Sequence, residues 1–128
     1  MRVYVAGSFD DYDRINQIAD ELTKLGFEGI APMRLRPMDE RKDDPKQITK
    51  LDLEILEPCQ ALVRYASGHF SEGSAIEQYV AYMSGKTVIL WNPGGHSTSP
   101  WARSYSHYQL NGTFQSVVAH LKKTGSSH

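Results

Sequence analysis

The sequence predicts one α/β domain, a parallel sheet of four to five strands with helices on both faces. Three observations carry that expectation. Short β-branched runs alternate with apolar stripes at helical spacing. The stripes are closed by glycine or proline, as helix ends usually are. A chain of 128 residues, 40% hydrophobic and 23% charged, suits one core rather than two.

Val3-Tyr4-Val5-Ala6 reads as a buried strand stopped by Gly7-Ser8. Ile15, Ile18, Ala19, Leu22 and Leu25 then recur as one helical face, ended by Gly26. A short second strand is expected over Glu28 to Pro32, and the charged, proline-rich stretch from Arg34 to Pro45 reads as a long loop. Ile48, Leu51, Leu53, Ile55 and Leu56 make the next helix, ending near Pro58. Ala61 to Tyr65 is the third strand, and a loop from Ala66 to Gly73 follows it. Ala75, Ile76, Tyr79, Val80 and Met83 give a third helical stripe, closed by Gly85 and followed by the strand Thr87 to Trp91. Asn92 to Ser99 is turn-rich, Tyr108 to Leu110 a short edge strand, and Phe114 to Leu121 a closing helix. The domain is expected to cover 1–123, with 124–128 a disordered tail or an expression remnant.

Strands joined by helical crossovers give a Rossmann-like (flavodoxin-like) sheet, which binds ligands outside the carboxyl ends of its strands. The loops beginning at Gly7, Pro32, Ala66 and Asn92 therefore share one rim.

The charge balance excludes several partners. Fourteen Lys and Arg against fifteen Asp and Glu leave a net charge of −1, which provides no field for a polymeric nucleic acid. No apolar stretch is long enough for a membrane span, and the apolar run at the N-terminus is too short for a secretory signal, so a cytoplasmic protein is expected. Cys59 is the single cysteine and reads as a core residue. The five His lack metal-ligand spacing, and no metal or cofactor is expected.

Gly7-Ser8 alone is a weak phosphate-loop signal, since the chain has neither the spaced glycines of a dinucleotide site nor the lysine of a P-loop. Ser71-Glu72-Gly73-Ser74-Ala75-Ile76-Glu77 says more. There a small-residue loop leads into a helix start, which favours anions, with a carboxylate in its first turn. Glu77 has two readings at this point: a functional acid, or half of a capping box with Ser74.

Several separated segments match one pattern. Tyr4-Val5-Ala6-Gly7-Ser8, Asp52-Leu53, Ala61-Leu62-Val63, and Ser71-x-Gly73-x-x-x-Glu77 followed by Ala81 and Gly85-Lys86-Thr87-Val88-Ile89 resemble the nucleoside 2-deoxyribosyltransferase family over residues 3 to 91. The closer likeness is to its 2'-deoxynucleoside 5'-phosphate N-hydrolase branch, because Ser71 stands six residues before the nucleophile position, where transferases acting on free nucleosides carry Asp. A hydroxyl there can donate to a phosphate that a carboxylate would repel.

The resemblance implies hydrolysis of a (deoxy)nucleoside 5'-monophosphate to free base and sugar phosphate. Glu77 would be the nucleophile that forms a glycosyl ester, Asp52 the acid near the leaving base, and Tyr4 the phenol that holds Glu77. Gly7, Ser8, Ser71 and Gly73 would bind the substrate, and Ser99 would reach the phosphate of a neighbouring subunit, which implies a homodimer or higher homo-oligomer. The sequence departs from the pattern in places. Phe9, Asp10 and Asp11 stand where the hydrolase branch has a basic residue, with Arg14, Arg34 and Arg36 as candidate replacements. Gln60 replaces an acid before the third strand, and Arg64-Tyr65 replaces small residues at its end. His69 falls in the active-site loop; Trp91, Trp101, Tyr105 and Tyr108 are available for base stacking, with no one of them assigned.

Two other functions stay open at this level. One is transfer of the glycosyl group to a second base from the same intermediate; the other is a non-catalytic nucleotide sensor that keeps the fold.

Overall fold

Alternation along the first strand sets the layers. In the computed structural model, which describes residues 1–36 and 43–126, β1 (Arg2–Ala6) sends Val3 and Val5 to one face and Tyr4 and Ala6 to the other. Val3 and Val5 pack with Ile15, Ile18, Ala19 and Leu22 of α1 (Tyr12–Lys24) and with Val117, Val118 and Leu121 of α6 (Phe114–Ser126). Tyr4 and Ala6 pack with Leu56 of α3 (Pro45–Leu56) and Ala81 of α4 (Glu72–Met83). Helices thus cover both faces.

The remaining strands are β2 (Glu28–Ile30), β3 (Ala61–Tyr65), β4 (Thr87–Trp91) and β5 (Tyr108–Leu110). The order is β2-β1-β3-β4-β5, and each neighbouring pair is parallel. In register, Tyr4 lies beside Leu62, and Arg64 lies between Ala6 and Leu90. The chain reverses its direction of travel across the sheet between β1 and β3, where such sheets open a crevice at their carboxyl ends. At β2 the layer is tight: a Cβ on Gly29 would collide with the Ala19 carbonyl, so only glycine lets α1 lie against this strand.

Sequence and structure differ at four places. The second strand ends at Ile30, because Pro32 opens a one-turn helix, α2 (Pro32–Leu35), inside the stretch expected to be loop. The next helix, α3, begins three residues ahead of the apolar stripe that starts at Ile48, its start fixed by Pro45 and by the Asp44 side chain accepting the Lys46 N–H at 3.1 Å; residues 37–42 lie outside the described residues. The closing helix continues past Leu121 to Ser126, through the first residues of the expected tail, and 127–128 lie outside the described residues.

The fourth difference is in α4. Of its expected stripe only Val80 packs against the core; Ala75 is exposed, and Ile76, Tyr79 and Met83 face outward, 52%, 46% and 62% exposed, while Ser74, Glu77, Gln78 and Ala81 face the sheet. Polar groups can take the inward face because hydrogen bonds meet them there. Cys59 is a buried core thiol, pushed up to about 11 chiefly by that burial, so it is not primed to react. Among the described residues no helix is long and apolar enough to cross a membrane.

Candidate functional site

Helix α4 begins one residue after Ser71, whose hydroxyl accepts the Ser74 N–H at 3.1 Å. Ser71 is therefore the cap, and the first-turn acid is Glu72. This corrects the placement of Glu77 in the first turn and removes its capping-box reading with Ser74. Glu77 lies a turn deeper and points inward, 9% exposed. Its Oε2 accepts a hydrogen bond from the Tyr4 hydroxyl, which crosses from the middle of β1. Burial pushes the Glu77 carboxyl up to about 8 from an ordinary 4.5.

Asp52 reaches the same region from α3. Glu77, Asp52 and Gly73 line one cavity of about 310 Å³ together with Ile48, Leu53 and Ile76. A Cβ on Gly73 would meet no atom within 4 Å, so this turn leaves open space toward the cavity. Both Asp52 oxygens are held by Arg36, Nε to Oδ1 at 2.6 Å and Nη2 to Oδ2 at 2.8 Å, with side chains only 3% and 9% exposed. That is the bidentate fork with which a guanidinium holds a carboxyl group.

A second cavity, about 200 Å³, opens on the other side of the α4 start. Ser8, Ser71 and Ser99 line it, with Gly7, Arg64 and His69. It sits where the crevice between β1 and β3 was expected. Gly7 is held to glycine by its surroundings: a Cβ would stand 2.7 Å from Ile15 Cδ1. Each of the three serines caps a helical segment, taking N–H groups of Asp10, Ser74 and Ala102 at 3.2, 3.1 and 3.1 Å. Ser99 lines this cavity from its own chain, whereas the family pattern implies a reach into a neighbouring subunit. The eight residues singled out in sequence therefore divide: Tyr4, Asp52, Gly73 and Glu77 gather at the first cavity, and Gly7, Ser8, Ser71 and Ser99 at the second.

The candidate replacement cations are placed elsewhere. Arg14 lies over the Tyr65 and Trp91 rings, 5.9 and 5.4 Å from their centres. Arg34 pairs with Asp20 at 2.9 Å on the surface, and Arg36 with Asp52. The Asp11 carboxylate is engaged by the Ser67 hydroxyl and by His69 Nδ1 at 3.1 Å, which ties His69 to the cavity mouth. Of the aromatics, Trp91 is core, packed on Tyr65 and Phe114; Tyr105 packs on Tyr79 and Tyr82, and Tyr108 on His120. Trp101 is 73% exposed on α5 (Pro100–Ser104).

Sequence reasoning missed the cation that does line the serine cavity, Arg64. The signal was present: a charged side chain ends the run Ala61-Leu62-Val63 at the ligand rim. It also missed Gln78, whose Oε1 accepts from Arg64 Nη1 at 2.8 Å; no feature of the local sequence marks that residue.

No family model matches the chain, and neither does any curated protein. Solved structures do. A 2-deoxyribosyltransferase from Bacillus psychrosaccharolyticus superposes with a TM-score of 0.72 at 20% identity, over 91% of this chain and 96% of that one. The CMP N-glycosidase of Clostridium botulinum gives 0.64 at 23% identity, over 95% and 99%. A conserved protein of Enterococcus faecalis gives 0.73 at 16% identity, over 97% and 98%. At these identities the common property is the fold, shared across nearly the whole of each chain.

Proposed function

We propose that this chain is an enzyme of the nucleoside 2-deoxyribosyltransferase family that hydrolyses the N-glycosidic bond of a (deoxy)nucleoside 5'-monophosphate. The observation that carries the reading is the Glu77 carboxylate, buried, bonded by the Tyr4 phenol, and facing the same cavity as Asp52. A buried acid at that depth is costly as pure structure and suits a nucleophile kept from water. The fold shared with an N-glycosidase and a deoxyribosyltransferase supports the same chemistry.

In the first step a Glu77 oxygen attacks the anomeric carbon, the C–N bond breaks, and its electron pair leaves with the base, which takes up a proton. Water then adds to the same carbon and gives up a proton to solvent, the ester C–O bond breaks, and the Glu77 carboxylate returns with net retention at the sugar. Asp52 can pass a proton to the base only after Arg36 releases one of its oxygens and that oxygen takes up a proton from solvent. Tyr4 is a positioning residue. Tyr4→Phe is expected to lower kcat for base release by roughly ten- to a hundredfold with little change in KM, because the carboxylate loses its fixed orientation. It should also move the rise of the pH profile upward, since the lost donor favoured the ionised form. An unchanged kcat and pH profile would count against this role.

Base transfer is the second reading, favoured by the 0.72 TM-score to the deoxyribosyltransferase against 0.64 to the N-glycosidase. The two reactions share one intermediate and differ in its acceptor. Chromatography of deoxynucleotides and nucleosides incubated with the protein, with and without added free base, is expected to show base release from the monophosphates. Exchange exceeding release makes the chain a transferase; binding with no release from any substrate makes it a sensor.

A cytoplasmic location is part of the proposal, supported by the charge of the proposed substrate, which keeps a nucleotide from crossing a membrane. Self-association is part of the proposal, supported by the outward apolar face of Ile76, Tyr79 and Met83. Sedimentation is expected to give a dimer or larger; a monomer at assay concentration would remove that element.

A further inference from the structure

We infer that Arg64, fixed in place by Gln78, binds the 5'-phosphate and decides between a nucleotide and an unphosphorylated nucleoside. This rests on the N-glycosidic reading above. It adds the residue that supplies the positive charge, which neither the segment after Gly7-Ser8 nor Arg14, Arg34 or Arg36 brings to the serine cavity.

Arg64 ends its strand in the centre of the sheet, between Ala6 and Leu90, and so stands at the β1/β3 crevice rather than on a mobile loop. Gln78 is 1% exposed, and its Nε2 donates to the Ala102 and Tyr105 carbonyls, both at 2.7 Å. Those two acceptors settle which way the amide faces, so its oxygen must point to Arg64. The guanidinium is thereby held by a neutral partner that leaves its charge uncompensated. Among the described residues no carboxylate pairs with Arg64, and none lines the cavity. Burial accordingly holds Arg64 below its ordinary value. A half-buried cation facing only a neutral amide is costly unless an anion completes it.

The cavity has the right chemistry for that anion. Ser8, Ser71 and Ser99 offer hydroxyls, and the twelve-residue helix α4 begins at its wall with the positive end of its dipole. Its volume of about 200 Å³ lies below the roughly 300 Å³ at which sites for whole small molecules begin, and is ample for one phosphate. Arg64 also borders a hollow of about 270 Å³, but that one is walled by Ile76, Tyr79, Trp101 and Tyr105 and offers a phosphate little to bond. The nucleoside end then belongs to the Glu77 cavity across the α4 start.

The test separates binding from chemistry. Calorimetry with ribose 5-phosphate, with inorganic phosphate and ribose as controls, is expected to show sugar phosphate binding roughly 100-fold more weakly to Arg64→Ala than to wild type. Arg64→Lys should fall between them, since it keeps the charge without the fork. In catalysis, the ratio of kcat/KM on a nucleotide to that on its nucleoside should drop by about the same factor. Circular dichroism and melting of both variants report whether they fold; if Arg64→Ala does not, Arg64→Lys and Gln78→Met carry the comparison. Equal binding of ribose 5-phosphate by folded variants and wild type overturns the assignment, as does an unchanged nucleotide-to-nucleoside ratio. Binding of inorganic phosphate alone, with no gain for the sugar phosphate, also overturns it. If wild type releases no base yet binds ribose 5-phosphate through Arg64, the phosphate site stands and the catalytic reading falls.

Discussion

Glu77→Gln is expected to abolish base release, by about a thousandfold or more, and to make the protein more stable at neutral and alkaline pH. The loss follows from removing the only atom set proposed to attack the sugar. The gain follows from burial, which pushes Glu77 up to about 8 while the unfolded chain keeps a value near 4.5. Between those values the folded state holds a proton that the unfolded state has released, so stability is highest below 4.5 and falls as pH rises toward 8. Glutamine has no charge to bury and still accepts the Tyr4 hydroxyl. Urea unfolding at about pH 5 and pH 8 should show wild type losing roughly 3 kcal/mol over this contribution, with the loss absent in Glu77→Gln. In wild type, kcat/KM should climb with pH and level off above about 8, because the nucleophile must be ionised in the free enzyme. Residual release by the variant, or a pH-independent wild-type rate, would remove Glu77 from the reaction.

The second large effect lies in the Arg36–Asp52 pair. Both side chains are almost fully buried and joined through two hydrogen bonds of 2.6 and 2.8 Å. Arg36→Ala strips the Asp52 carboxylate of this fork inside a cavity wall, which is expected to cost about 3–5 kcal/mol in denaturant unfolding. Arg36→Met with Asp52→Leu should recover part of that stability, since the Asp52 charge is no longer left in the cavity wall. The double variant should nonetheless stay inactive, because Asp52 is gone. Arg36→Ala costing less than about 1 kcal/mol would show that solvent already carries the pair.

These two effects mark how far the sequence could be read. Glu77 and Tyr4 were singled out together, although 73 residues separate them, because their segments match one family pattern. Arg36 was proposed for a phosphate and serves Asp52 instead. Nothing in a charged, proline-rich stretch says which carboxylate a guanidinium will meet, since that depends on where α3 lies over the sheet. In α4 most of the apolar stripe faces outward, with Val80 alone packed on the core. Hydrophobicity decides a helix's inward side only when the sheet offers no polar partners, and here Tyr4 and Arg64 are such partners for Glu77 and Gln78.

The sequence by itself determined the α/β class, the bounds of β3, β4 and β5, and the rim on which the ligand residues fall. Those properties are local: alternating apolar residues, glycine and proline stops, and crossovers that close one way. Only the tertiary structure decided that the site is two cavities flanking the start of α4, with Glu77 and Asp52 in one and Arg64 among the serines in the other. Partner choice for a buried charge is a matter of distance in space, which residue spacing along the chain does not encode.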